Sequence, residues 1–587
     1  MEIKTHLNNS VQVCQNCKNE FNITQDDFSF YSKIDVPAPT FCFDCRAQRR
    51  MMFRNERVMY KRTNNAPNKN NEQIISIHNP EADVTVYDDR TWWSDAWDPM
   101  DYGFEYDFSK TFFQQFKQLY RSVPLISLSV TNNMNCTYCN VSEGDKVCHM
   151  LSGSEHNEDT IYGNRVVENK QSGDLYIAFQ NEACYELTNC TKCFKTLYSM
   201  NSQECSDSYF LMNCKNCIDC IGCINLRSKS RCIFNQQYTK EEYDKLKKEF
   251  NLNTIDGVRK FKEMFDEFSK TQFFRYANNV KSEGSTGDNL VGVAKSQNIF
   301  DFQEAENIKN CFWGLRMKDS QDAGPGVGMG SELVYDVVDQ MGGHDVCFTS
   351  VVYHSFNVKY SINCHSSTNL FGCYGLRTKE YCIFNRQYSK KEYEELVPKI
   401  IAHMKEMPYV DSKGRIFSYG EFFPYDISPF AYNETIAQEY FPISKEQAID
   451  KGFEWYEREE RNYQTTIKSG QIPQTIDEVQ DTFINEIIEC SGGGNAVRQC
   501  TQAFKIIPQE LELYRKLNVP LPEFCYNCRH YNRLQKRNPM KLWHRACMCD
   551  RDNHEHQGKC QNEFETSYAP NREEIIFCEK CYQAEVM

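Results

Sequence analysis

Cysteine is the residue of this sequence most able to do chemistry. Thirteen of its thirty cysteines lie near the chain ends and seventeen between Cys136 and Cys382. Near the start, Cys14-x2-Cys17 is followed by Cys42-x2-Cys45. Two such knuckles separated by a loop can close four thiolates into a tetrahedron round Zn²⁺, the pattern of a zinc ribbon. The bland alternative is two unrelated CxxC pairs.

The far end of the chain supports the ribbon. With the numbering shifted by 483, the sequence from Cys17 to Arg62 aligns without a gap on 500–545. Cys17, Phe21, Tyr31, Pro37, Phe41, Cys42, Cys45 and Arg46 find their own kind at Cys500, Phe504, Tyr514, Pro520, Phe524, Cys525, Cys528 and Arg529. Val497 stands where Cys14 predicts a cysteine. Cys490, just before the flexible "SGGG", is the replacement, so Cys490, Cys500, Cys525 and Cys528 form the second expected site. A third uses Cys547, Cys560, Cys578 and Cys581 round "NEFETSYAPNREEIIF", read as a hairpin. Cys549 competes with Cys547 there, and His544, His554 and His556 are spares. In the matching N-terminal segment, Asp88 and Thr91 replace Cys578 and Cys581, which predicts a ribbon-like module folded without metal. No site leaves the open coordination position that catalytic zinc needs, so about three structural zinc ions are expected.

Each ribbon is followed by basic residues at helical spacing. Arg46, Arg50 and Arg54, with Arg49 and Arg57, are matched by Arg529, Arg533, Arg537, Lys541 and Arg545. Steps of four place side chains on one helix face. On a chain of net charge −14 these are local exceptions. They suggest contact with nucleic-acid phosphates, for which the arginine fork is suited. The alternatives are a solvated face, or docking onto the protein's own acidic surface. Asn538-Pro539 is expected to break the second helix.

The elements that position these groups fall into two classes. The middle of the chain is duplicated at an offset of 150, with "GCINLRSKSRCIFNQQYTKEEY" at 222–243 answering "GCYGLRTKEYCIFNRQYSKKEY" at 372–393. Each copy then opens a helix with a capping box, Thr239 to Glu242 and Ser389 to Glu392. Counting back in threes from Leu226 gives Cys223, Cys220, Cys217, Cys214, Leu211, Ser208 and Cys205, all small or apolar. A period of three is neither helical nor that of a simple strand. It suggests a β-solenoid that turns its small residues inward as a ladder. Cys214, Cys217, Cys220 and Cys223 also invite an iron–sulfur or zinc reading, with disulfides third. The second copy keeps Cys364 and Cys373 but has Ser367 and Leu370 between them, which suits a packed ladder better than a cluster. "AGPGVGMGS" at 323–331 reads as a loop. Aromatic-rich 92–120 and 416–456 read as segments that dock the ends on the solenoid, with a partner-binding groove second.

At 40% hydrophobic and 13% aromatic, the chain can bury cores. It has no run of about 18 apolar residues that would span a membrane and no apolar signal-peptide core. The expectation is therefore a cytoplasmic protein with reduced thiols. No hydrolase or deaminase motif is present, so an enzyme is not expected.

The motifs "RNPxKLWHRxCMC", "NEFETSYAP", "SPFAYNETIAQEYFP" and "CIFNxQYSKxEYEELVPKI" resemble a family of uncharacterised prokaryotic cysteine-rich, zinc-ribbon-flanked proteins. The resemblance implies no activity. It does imply cysteines in most relatives where this chain has Asp88 and Thr91.

The expected organisation is mainly β, with small zinc-ribbon modules at both ends flanking a duplicated, cysteine-rich β-solenoid-like middle with short helical insertions. Its segments are a zinc ribbon with basic helix (1–62) and a degenerate metal-free ribbon with aromatic linker (63–126). The solenoid copies (127–282 and 283–406), an aromatic linker (407–482) and a C-terminal pair of zinc modules (483–587) follow. The expected function is a non-enzymatic multi-zinc protein that binds nucleic acid. A protein–protein scaffold is the alternative and an iron–sulfur redox protein the third.

Overall fold

The period of three is a backbone property. In the computed structural model, which describes residues 10–69, 72–457 and 463–586, every third residue from Asn132 to Phe234 has a left-handed φ. Gly144, Gly153 and Gly222 fill three of these places; the rest carry side chains, many of them Asn or Asp. A left-handed L-residue costs roughly 1–2 kcal/mol, least for Asn and Asp. Regular hydrogen bonding offsets this cost. From Gly144 onward, left-handed N–H groups donate to the carbonyl thirteen residues back, as Tyr198 to Tyr185 (2.9 Å) and Phe210 to Leu197 (3.0 Å).

The chain meets itself in parallel every twelve residues. Ile161 pairs with Gly173 and Gly173 with Tyr185, and the series continues through Leu197, Tyr209 and Ile221. The residue after each left-handed corner is the ladder position. One column of it is a polar stack twelve residues apart: Asn157 donates to Asp145 (2.9 Å), Asn169 to Asn157 (3.0 Å) and Asn181 to Asn169 (2.9 Å). The period of three shows in the sequence as small residues, whereas the period of twelve emerges from the strand pairing.

The second parallel wall keeps the twelve-residue register from Leu290 to Phe302 to Gly314, and again from Val346 to Val358 to Leu370 to Cys382. Between these stretches the offset grows to thirteen and then fourteen across a bulge. "AGPGVGMGS" absorbs the two extra residues within the sheet, partly in the strand Val327–Met341, so the expected loop is corrected. Glycine is required at 328, where φ is +124° and a Cβ would sit 1.8 Å from the Leu315 carbonyl oxygen.

The molecule is about one-third strand and one-quarter helix. It divides into two units, each assembled from distant parts of the chain. One comprises 1–128 with 277–457, the other 129–276 with 458–587. Each unit contains one parallel wall, and with it cysteines from one end of the chain. Among the described residues no helix is long and apolar enough to cross a membrane.

Local details follow the chemistry of the termini. Capping boxes start Lys240–Glu249 at Thr239 and Lys390–Glu406 at Ser389. The aromatic segments of the first unit are buried packing: Phe112 meets Tyr360 and Phe371 (ring centroids 5.2 and 5.5 Å apart), and Phe116 meets Phe423 (4.6 Å). Two expectations change. Glu563–Thr566 pairs antiparallel with Trp543–Ala546, whereas Ile575–Phe577 pairs in parallel with Phe273–Arg275. The basic helices are also shorter than their stripes. Phe43–Met51 carries only Arg46, Arg49 and Arg50, and Tyr526–Gln535 ends before Arg537 and the Asn538-Pro539 step.

Candidate metal centres

All three expected tetrads come together: Cys14, Cys17, Cys42 and Cys45; Cys490, Cys500, Cys525 and Cys528; Cys547, Cys560, Cys578 and Cys581. Within each, the sulfurs lie within 4.8 Å of one another, and each tetrad can hold a metal ion. All thirty cysteines are free thiols. A tetrahedral ion with sulfurs at about 2.3 Å separates them by roughly 3.8 Å. Cys17 and Cys42 are 3.6 Å apart, Cys490 and Cys528 3.9 Å, and Cys560 and Cys578 4.0 Å.

Local structure builds each cage. The first pair of each ribbon sits in or beside a short antiparallel hairpin, Ser10–Val13 with Glu20–Ile23 or Ile488–Glu489 with Ala503–Phe504. The second pair opens a helix: Cys42 caps Phe43–Met51 and Cys525 caps Tyr526–Gln535. The positive end of a helix favours thiolate. Donors aimed at sulfur complete the arrangement: Asn16 Nδ2 to Cys45 (3.2 Å), Cys525 N–H to Cys490 (3.1 Å), Cys578 N–H to Cys547 (3.2 Å) and Asn562 Nδ2 to Cys578 (3.3 Å). Hydrogen bonds from Cys42 and Cys45 hold the Cys14 thiol far below its ordinary range, as those from Cys490 and Cys528 hold Cys525. Gly492 lies against its cage: a Cβ there would fall 2.5 Å from the Cys528 sulfur. The "SGGG" run thus returns Cys490 to the tetrad and lets the backbone approach the sulfurs.

The third site holds more than expected. Cys549, His554, His556 and Cys581 form a further converging group, so Cys549 does not compete with Cys547. His544 is no spare; it lies exposed between Glu565 (2.9 Å) and Glu563 (3.1 Å).

Where the N-terminal counterpart lacks cysteines, hydrogen bonds occupy the place. Asp88 accepts from Thr91 Oγ1 (2.6 Å), Thr91 N–H (3.0 Å) and Asn64 Nδ2 (2.8 Å). Asn64, Asp88 and Thr91 stand at the positions of Cys547, Cys578 and Cys581. Burial opposes ionisation of Asp88, but the bonds from Thr91 and Asn64 outweigh it and hold the carboxyl below its usual value.

The ladder cysteines behave differently. Cys214 Sγ donates to Met212 O and Cys223 O (3.5 and 3.3 Å), and Cys217 to Lys215 O and Leu226 O (3.4 and 3.6 Å). Cys220 donates to Ile218 O and Cys223 to Cys232 O (both 3.4 Å). Each reaches the carbonyl two residues back, nine ahead, or both. Thr160 and Thr196 make the same pair of bonds through their hydroxyls. Cysteine, serine and threonine therefore interchange here as small inward donors. In the second wall burial pushes the thiols of Cys311, Cys347, Cys364 and Cys382 up to about 12, the reverse of an activated cysteine. In the first wall, by contrast, hydrogen bonds from Cys205, Cys214 and Cys220 lower the Cys217 thiol.

Arg46, Arg49, Arg50, Arg54, Arg57, Arg529 and Arg533 turn inward, which corrects the expectation of free cationic faces for these seven, whereas Arg537 and Arg545 are half-buried and Lys541 is exposed. Arg46 reaches Asp322 (2.7 Å), and Arg49 reaches Glu421 (3.0 Å) and Asp336 (3.5 Å). Arg50 pairs with Asp336 (2.6 Å), Arg54 with Glu56 and Asp339, and Arg57 with Glu439 (2.8 Å). In the other unit, Arg529 pairs with Asp174 (2.6 Å) and Glu510 (3.1 Å), and Arg533 with Asp174 (2.7 Å). Arg49 and Arg50 are wholly buried and Arg533 is 1% exposed. Asp174, Asp322 and Asp336 all sit at left-handed corners of the walls. Burial works against the Arg46 charge, but Asp322, Tyr335, Tyr31 and Asp336 together more than restore it. Arg537 lies over the Tyr176 ring, Lys541 over Trp543, and Arg545 donates to the Ala569 carbonyl. The sequence shows the charges but not the carboxylates, which lie 276 residues away for Arg46 and 355 for Arg529.

No protein-family model matches the chain, and no curated protein is similar to it.

Proposed function

We propose that this protein is a non-enzymatic, zinc-stapled scaffold built for protein–protein interaction. Each wall is read as a four-cornered β-solenoid, since a left-handed corner every third residue and a return every twelve give four sides. The tetrads are read as structural zinc sites, because all-thiolate tetrahedra suit zinc and each cage is filled by its own four ligands.

The carrying observation is the direction of the reactive groups. The terminal cysteines face one another, the ladder thiols face carbonyls, and the ribbon-helix arginines face carboxylates of their own unit. That leaves the outer surfaces of the walls as the working parts. Nucleic-acid binding through Arg46, Arg49, Arg50, Arg54, Arg57, Arg529 and Arg533 loses support, because phosphate contact would require breaking buried ion pairs. The ladder bonds likewise weigh against an iron–sulfur cluster at Cys214 to Cys223.

Binding of single- and double-stranded nucleic acids by the full chain and by Arg50→Gln and Arg533→Gln, at rising salt, tests this. The scaffold reading expects weak, sequence-blind binding unchanged by either substitution, with thermal stability lowered instead. A folded Arg533→Gln chain that loses tenfold in affinity would restore the nucleic-acid reading.

A further inference from the structure

We infer that the C-terminal module binds two divalent metal ions bridged by the Cys581 thiolate, the second held by Cys549, His554 and His556. This rests on the structural-zinc reading and extends it.

Cys581 belongs to both converging groups, and the ligand atoms of each lie within 4.8 Å of one another. Cys549 Sγ is 3.1 Å from His554 Nδ1, and Cys581 Sγ is 3.3 Å from His556 Nε2. Sulfur and nitrogen on one tetrahedral zinc stand roughly 3.5 Å apart.

The two imidazoles are held by their other nitrogens. His556 Nδ1 lies 2.8 Å from the Gly558 carbonyl, which can only accept. The proton is therefore on Nδ1, and the Nε2 lone pair points toward Cys581. His554 Nε2 lies 3.0 Å from Glu585 Oε1, which places its proton there and leaves Nδ1 open toward Cys549. A metal-bound histidine characteristically gives its second N–H to a carbonyl or carboxylate. The His554 side chain is 2% exposed, so this lone pair is sequestered from water.

The loop that supplies these ligands is an insertion relative to the N-terminal counterpart. Residues 547–562 join the two hairpin strands here, against 64–72 there. The shorter loop belongs to the module whose ligand positions are Asn64, Asp88 and Thr91. Charge favours the pair as well. Four thiolates round one divalent ion leave two negative charges, whereas five round two ions, with neutral imidazoles, leave one. Cys549 and Cys581 are both buried, so lower net charge reduces the cost of burial.

Native mass spectrometry of the full chain with zinc counts the ions. The expected count is four per chain, falling to three in the His554→Ala/His556→Ala double variant. Three in the unmutated chain, or four retained in the variant, overturns the paired site. A count of three leaves the proposed function standing, and a count of zero removes both. The bridge is read on the unmutated chain loaded with ¹¹³Cd. Mutual cadmium–cadmium coupling through a shared sulfur supports it, and two uncoupled resonances overturn it; neither result depends on whether the variant folds.

Discussion

The segments Tyr60 to Trp93 and Trp543 to Val586 run through the same elements: an antiparallel hairpin, a short strand and a closing helix. At corresponding places one closes on Cys547, Cys578 and Cys581 and the other on Asn64, Asp88 and Thr91. The second is also backed by a cluster of Tyr87, Trp92, Trp97 and Ile126. Side-chain hydrogen bonds and aromatic packing hold what thiolates hold elsewhere. A Lewis acid could not be replaced this way. The comparison therefore supports the proposal that a metal held by these cysteines acts as a staple.

The largest expected effect comes from removing that staple. Structural zinc supplies on the order of 10 kcal/mol to the folding of a small module. Cys578→Ser should therefore unfold 543–586, seen as loss of amide protection there, and release metal. Next come the buried ion pairs. Asp174→Asn leaves Arg533 facing a neutral amide and Arg529 with Glu510 alone, and Asp336→Asn leaves Arg50 facing a neutral amide. Each should cost about 3 to 5 kcal/mol by denaturant unfolding. A loss below 1 kcal/mol would mean that the arginines do not dock the ribbons.

Asp88→Ala orphans donors of Thr91 and Asn64. It should cost about 1 to 3 kcal/mol with no change in metal content; a loss of metal would break the comparison outright. Smallest is Cys217→Ser, which keeps a donor for Lys215 O and Leu226 O. About 1 kcal/mol or less is expected, with the metal count unchanged, by calorimetry and elemental analysis.

The tetrads were legible because knuckle spacing and the offset of 483 depend on short-range order. Even Cys490 was recoverable, because the glycine run beside it permits the return. The period of three was legible as small residues, but its cause, a left-handed corner, was not. The column Asp145, Asn157, Asn169 and Asn181 was the missed signal for the twelve-residue return. Which reading of the stripes holds is not legible in the sequence, because an arginine's partner is chosen by the fold. Asp174 and Asp322 carry no local mark tying them to Arg529 and Arg46. The pairing of each chain end with one wall was beyond reach for the same reason: it depends on contacts hundreds of residues apart.

Hydrogen–deuterium exchange of the full chain, with and without a zinc chelator and resolved by peptide, compares the two modules most directly. The staple account predicts that 543–586 loses protection when metal is removed, while 60–93 and the ladder from Cys184 to Cys232 stay protected. If 543–586 remains closed without metal, or the ladder opens with its removal, the metal is not the staple of this architecture.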